Sequence, residues 1–224
     1  WVIEDRFAGG RPAWESVGVE MTSDVSPYEE AKIRILNASH SAIAWAGTLK
    51  GMKFIHEGTR DGAVRAIAHA YVTEDVIPCL QRPGHESPVD LPVYRDVVLD
   101  RFANDAIADT NQRVAADGYA KIPGFIAPTV RERLGQGGSI RAVARLPALF
   151  LTFLERWHRG QIPFDYQDQA MDAARVHAMC DAADPLALFL ADASLWGDLV
   201  GNPMLRDAIA AARLELPGIL GHNG

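Results

Sequence analysis

Residues 26–47, SPYEEAKIRILNASHSAIAWAG, decide how this chain is read. Ser26 is placed to cap a helix, Pro27 to occupy its first turn and Glu29 to complete a capping box. Gly47 suits the far end of the same helix. With Lys32 set at zero and about 100° per residue, Leu36 falls near 40°, Glu29 near 60°, His40 near 80° and Asn37 near 140°. The rest of the circumference holds Ala31, Ile35, Ala38, Ala42, Trp45 and Ala46, with only Glu30 and Arg34 plainly charged. A helix apolar nearly all round is a buried one. Lys32, Asn37 and His40 are therefore expected to sit away from water, with Lys32 among Ile33, Leu36 and Ile43.

Two readings of that polar set stay open on residue types alone. In the first, backbone groups or a buried ion pair satisfy the three side chains, and Glu29 serves only the capping box. In the second, they form a small-molecule site. A lysine held away from water gives up its proton more readily and acts as a general base. An asparagine amide stabilises an oxyanion, and a histidine orients either group or the substrate.

Outward from this helix the chain reads as mainly α. Helices are expected over 60–75, 92–102, 107–117, 125–134, 139–158, 167–182, 185–191 and 203–214. Strand signals are confined to residues 1–25, in WVIED and VGVEMTSDV, on either side of the turn region Gly9-Gly10-Arg11-Pro12. Pro78, Pro83 and Pro88 with Gly84 mark a loop, Gly118 is read as closing a helix, and Pro217 and Gly218 as breaking the last one. LGQGGS, residues 134–139, follows the helical TVRERL rather than a strand, so it is a turn between helices and not a dinucleotide fingerprint. His222 is expected at the surface of the tail.

Composition narrows the function classes. A chain of 224 residues with 48% hydrophobic residues builds a sizeable core. A net charge of -7 and the lack of any basic stripe argue against nucleic acid as a partner. No apolar run approaches a membrane span. Cys79 and Cys180 are isolated, which suggests neither a disulfide framework nor a zinc site, and a reducing cytoplasm is the expected compartment. Only four of the 22 basic residues are lysines, Lys32, Lys50, Lys53 and Lys121, so a lysine inside an apolar helix stands out. The chain opens on Trp1 without an initiator Met, and a piece of a longer protein is the expectation.

The stretches WVIED, GGRPAWESVGV, SPYEEAKIRILNASHSAIAWAG and RFANDAIADTNQRVAADGYAKIPGF resemble the C-terminal domain of the mannitol dehydrogenase family, the polyol-specific long-chain dehydrogenases. The family pattern of Lys, four residues, Asn, two residues, His is matched by Lys32, Asn37 and His40. The resemblance covers most of the chain and weakens after about residue 135. It implies a multihelical fold like the C-terminal domain of 6-phosphogluconate dehydrogenase, with residues 1–25 as a short β element and 26–224 as the substrate-binding and catalytic domain. It implies Lys32 as general base, Asn37 as one arm of an oxyanion hole and His40 as substrate ligand or support for Lys32. Glu29 matches a position linked to proton passage, and Arg113 and Lys121 match basic positions that contact the sugar chain. It further implies metal-independent hydride transfer between NAD(P) and a polyol or ketose. The cofactor would be held mainly by an N-terminal Rossmann domain, which this sequence lacks. Pentitol, hexitol and hexuronate substrates all remain open within the family. The competing class is a free-standing helical module that binds or scaffolds.

Overall fold

The computed structural model describes residues 1–221, without the His85 side chain; His222 lies outside them. Two short strands come first, β1 (Val2–Glu4) and β2 (Glu20–Thr22). They pair in parallel with Ile3 opposite Met21. Between them Arg11 ties the crossover together, donating to Asp5 at 2.8 Å and Glu15 at 2.7 Å.

Among the described residues, the regular elements that follow are helical apart from one small hairpin and an isolated bridge between Phe54 and Thr110. The first long helix is α1 (Ser26–Ala31), a π turn at Lys32–Asn37, and α2 (Ala38–Leu49). Then come α3 (Ile55–Arg60), α4 (Gly62–Ala70), a second π turn at Tyr71–Val76 and α5 (Ile77–Leu80). The strands β3 (Gln81–Arg82) and β4 (His85–Glu86) form an antiparallel hairpin. After it run α6 (Leu91–Phe102), a 3₁₀ turn at Asp105–Ile107, α7 (Asn111–Ala115) and α8 (Gly118–Lys121). A third π turn at Ile122–Ile126 leads into α9 (Ala127–Gly135). The C-terminal part is α10 (Arg141–His158), α11 (Ala173–Cys180), α12 (Pro185–Leu190), α13 (Ala193–Trp196) and α14 (Pro203–Leu220). The mainly α expectation holds. Among the described residues, no helix is long and apolar enough to cross a membrane.

The core is built on α2 and α10. Eleven of the twelve residues of α2 are buried, Trp45 completely, and its indole donates to the Ala115 carbonyl at 3.3 Å. Trp45 packs on Phe150 of α10 at 4.7 Å between ring centroids. The most extensive packing between two helices joins α10 to α14.

Several boundaries differ from the sequence reading. Val25 rather than Ser26 occupies the N-cap position, and the Asp24 carboxylate receives the Ser26 N–H at 2.9 Å. Gly47 lies inside α2, where a Cβ would meet the Asn111 amide at 2.7 Å, so it is there for close approach. The chain leaves that helix at Gly51, whose φ of +78° suits glycine. The helical run expected to end at 75 carries Pro78 and stops at Leu80, because the preceding π turn opens the helix ahead of the proline ring. Pro217 is likewise held inside α14. Gly118 begins a helix instead of closing one, after Asp117 at φ +56°.

At Gly118 an added Cβ would come within 2.2 Å of the buried Phe150 ring. Gly118→Ala should therefore destabilise the fold by about 1–3 kcal/mol, seen as a lower urea midpoint with an unchanged slope. An unshifted midpoint would show that Phe150 has room to move.

Candidate active site

The polar face of the first long helix opens onto a cleft of about 390 Å³. Three of the side chains singled out from sequence line it, namely Lys32, His40 and Arg113. The opposite walls bring Asp109, His56 and Phe102, from the segment before α7, from α3 and from the end of α6.

The helix can serve both core and cleft because its middle is wider than an α-helix. The Ala38 N–H donates to the Ile33 carbonyl, an i→i+5 closure. Residues five apart then lie more nearly one above the other. Asn37 is thus turned towards the azimuth of Lys32, compared with about 140° in an unbroken α-helix.

Lys32 itself is exposed. The expectation that Ile33, Leu36 and Ile43 bury it fails, because the helix is buried all round only from Ala38 onward. Ile43 is fully buried in the core, and the first two turns lie at the rim. Lys32 also lines a second cleft of about 550 Å³, with Glu29, Tyr28 and Val2, so the residue stands on the wall between the two. Glu29 is exposed and reaches only the second cleft. Asn37 is half-buried and lines neither cleft.

His40 is held tightly. Its ring stacks on Phe102 at 4.2 Å between centroids with planes 14° apart. Nε2 lies 3.4 Å from the Asp109 carboxylate but off the hydrogen-bonding direction, and it makes no hydrogen bond. Burial pushes the imidazole down to about 4; the Asp109 charge opposes this, and Arg113 and Lys121 add to it. At neutral pH His40 is thus an uncharged ring able to donate from one nitrogen and accept at the other.

Arg113 is mostly exposed, yet its guanidinium is fixed. Nε donates to Asp109 at 2.6 Å, and a terminal N–H donates to the second carboxylate oxygen. The guanidinium holds the Asp109 carboxyl below its ordinary range. Lys121 does not line the cleft; its ammonium donates to the Val114 carbonyl at 2.6 Å. Burial pushes the Lys121 ammonium down, and Asp117 and Asp168 act the other way.

Asp109 was legible as an acidic residue four before Arg113, the spacing of a helical ion pair. His56 and Phe102 carry no such local signal and reach the cleft only through the packing of α3 and α6. Among the described residues, no group of three or more His, Cys, Asp or Glu side chains is arranged to hold a metal ion.

The fold is thus a multihelical domain with a lysine, a neutral imidazole and a clamped guanidinium on one open cleft. Comparison with known proteins makes the class definite: over residues 24–216 the chain matches the mannitol dehydrogenase C-terminal domain, and it belongs to that family. D-arabinitol 4-dehydrogenase of Ralstonia nicotianae is 58% identical over 216 residues, covering 96% of this chain and 46% of the relative. The enzyme of the same name from Klebsiella pneumoniae is 56% identical over 215 residues. A solved structure of Pseudomonas fluorescens mannitol 2-dehydrogenase, a ternary complex with NAD and D-mannitol, superposes with a TM-score of 0.83 at 35% identity. It covers 99% of this chain and 46% of that one. The chain spans about half the length of the curated relatives it matches.

The depressed His40 value has a consequence for stability. The ordinary histidine value of 6.5 lies above the folded one, so the unfolded chain takes up the proton first. Stability present above 6.5 is lost as pH falls towards 4. An NMR titration of the His40 ring should find its midpoint near 4; a midpoint at the ordinary value would refute the buried-imidazole account.

Proposed function

We propose that this chain is the substrate-binding and catalytic half of an NAD-dependent polyol dehydrogenase, which oxidises a secondary alcohol of D-arabinitol to the ketose D-xylulose. The reading is carried by the convergence of Lys32, His40 and Arg113 on one cleft, in a chain 58% identical to a D-arabinitol 4-dehydrogenase. Residues 1–25 lead in from a dinucleotide-binding domain, and residues 26–224 form the catalytic half. LGQGGS lies where α9 ends and not between a strand and a helix, so it is not a dinucleotide phosphate cradle. NAD belongs to the other domain and, when bound, accepts the hydride.

What the chain's own residues do follows from their chemistry. A secondary alcohol releases hydride only as its hydroxyl proton leaves, and Lys32 takes that proton at Nζ. Asn37, half-buried and lining neither cleft, is given by the family pattern the task of donating to the oxygen on which negative charge develops. His40, uncharged, hydrogen-bonds a neighbouring hydroxyl, and Arg113 holds the rest of the carbon chain; the family pattern adds Lys121, which must first leave the Val114 carbonyl to reach the cleft. Glu29, beside Lys32 on the second cleft, passes the proton on to solvent. The exposed position of Lys32 makes the covering wall part of the mechanism: the other domain must exclude water from it.

In the full-length protein, Lys32→Ala should lower D-arabinitol oxidation by about 10²–10⁴, and Asn37→Ala by about 10²–10³. Added primary amine should partly restore the first variant and not the second, because only the first has lost a base. Near wild-type oxidation by Lys32→Ala would remove the general-base assignment. Faster turnover of D-mannitol than D-arabinitol by the wild type would move the substrate to the hexitols. The 224-residue chain alone should turn over neither, since hydride transfer needs the cofactor set against the substrate.

A further inference from the structure

We propose that Asp109 is the positioning residue of the cleft, presetting the Arg113 guanidinium with a two-point clamp while facing the Nε2 edge of His40. The proposal rests on the reading of the cleft as a polyol site, and it concerns how two ligand-binding side chains are held before the ligand arrives.

The backbone at Asp109 is anchored on both sides. Its carbonyl accepts the Ile55 N–H at 2.9 Å, and Thr110 forms an antiparallel bridge with Phe54. The Asn111 N–H donates to the Lys53 carbonyl at 2.9 Å, and the fully buried Asn111 side chain donates to Met52 at 3.0 Å. The segment 52–55, which leads into Ile55 and His56 on the cleft wall, is thus stitched to the segment that carries Asp109. The Thr110 hydroxyl caps α7 by accepting the Arg113 N–H at 3.2 Å, fixing the backbone from which Arg113 projects.

From this base the Asp109 side chain, only 14% exposed, meets an arginine that is 68% exposed. A long side chain so open to water would ordinarily sample many rotamers. The bidentate contact selects one of them, and the planar fork makes that selection directional. A guanidinium carries five N–H groups. Two are engaged by Asp109, which leaves three to meet hydroxyls in the cleft. The same carboxylate lies 3.4 Å from His40 Nε2, so one anion sets the cation and borders the imidazole.

The test uses two independent readouts. In the full-length protein, Asp109→Asn should raise the KM for D-arabinitol roughly tenfold with a smaller change in kcat, and leave the KM for NAD unchanged. In an Arg113→Ala background the same substitution should raise KM by much less, since its main route of action is gone. Asp109→Glu should recover part of the loss, and it serves in place of Asp109→Asn if that variant fails to fold. In the 224-residue chain, the Arg113 Nε–H should exchange slowly by NMR, and quickly in Asp109→Asn. The proposal is overturned if KM moves less than about twofold, if it rises equally with and without Arg113, or if Arg113 exchange is unchanged. A wild type that oxidises no polyol would instead dispose of the functional reading, and the Arg113 exchange measurement would still decide the clamp.

Discussion

The i→i+5 closure between Ala38 and Ile33 is the constraint on which the molecule turns. One helix has to be both the central rod of the core, from Ala38 to Leu49, and the wall of a polar cleft, around Lys32. A regular α-helix would carry its apolar stripe past Lys32 without changing face. The inserted residue rotates everything that follows, so that Ala38, Ser39 and Ala42 meet the core while Lys32, Leu36 and His40 line the cleft. The other two π turns each run into a proline, Pro78 and Pro128, whose rings need the room. No proline follows the turn at Lys32–Asn37. On the proposed reading its cost is offset by the site, as with many π turns found where chemistry is done.

The polar side chains of this helix divide into two kinds, and the division explains why residue types alone left two readings open. Arg34 is 5% exposed and lies between Glu30 at 2.7 Å and Glu132 at 2.5 Å. Glu132 also meets Arg82, so the pair joins three distant stretches of chain. Asp75 does the same work from the second π turn, accepting from Arg133 and from the backbone of Val143. Such pairs fix which elements meet more than they add stability. They are the structural outcome that was open for Lys32, and it fell to the neighbour two positions on.

Much of this was legible because local chemistry dictated it. The start of the first helix shows in Pro27, the core role of its second half in IAWAG, and one wall of the cleft in the spacing of Lys32 and His40; Arg113 came only with the family resemblance. What was illegible depends on partners far along the chain. Gly47 and Gly118 look like helix terminators in sequence, yet each makes room for a side chain from another element, Asn111 and Phe150. His56 and Phe102 join the site only because α3 and α6 fold against the first helix. The exposure of Lys32 was misjudged for a related reason: helical periodicity tells which face is apolar, and not how far along the helix the core extends.

That misjudgement leads to the last step. Lys32 stands at the rim, shared by two clefts, one with His40 and Arg113, the other with Glu29 and the β1 residue Val2. On the proposed reading, a base so placed is idle in water and becomes effective only when a second wall covers it. The substrate end of the site, by contrast, is rigid beforehand: His40 is stacked on Phe102, Arg113 is clamped by Asp109, and Asp109 is sewn to the 52–55 segment. On that same reading, recognition of the carbon chain is preorganised within this domain. The proton-transfer step is left to depend on what closes over Lys32. A cleft divided in this way ties chemistry to closure, since neither wall alone offers a desolvated base next to a held alcohol.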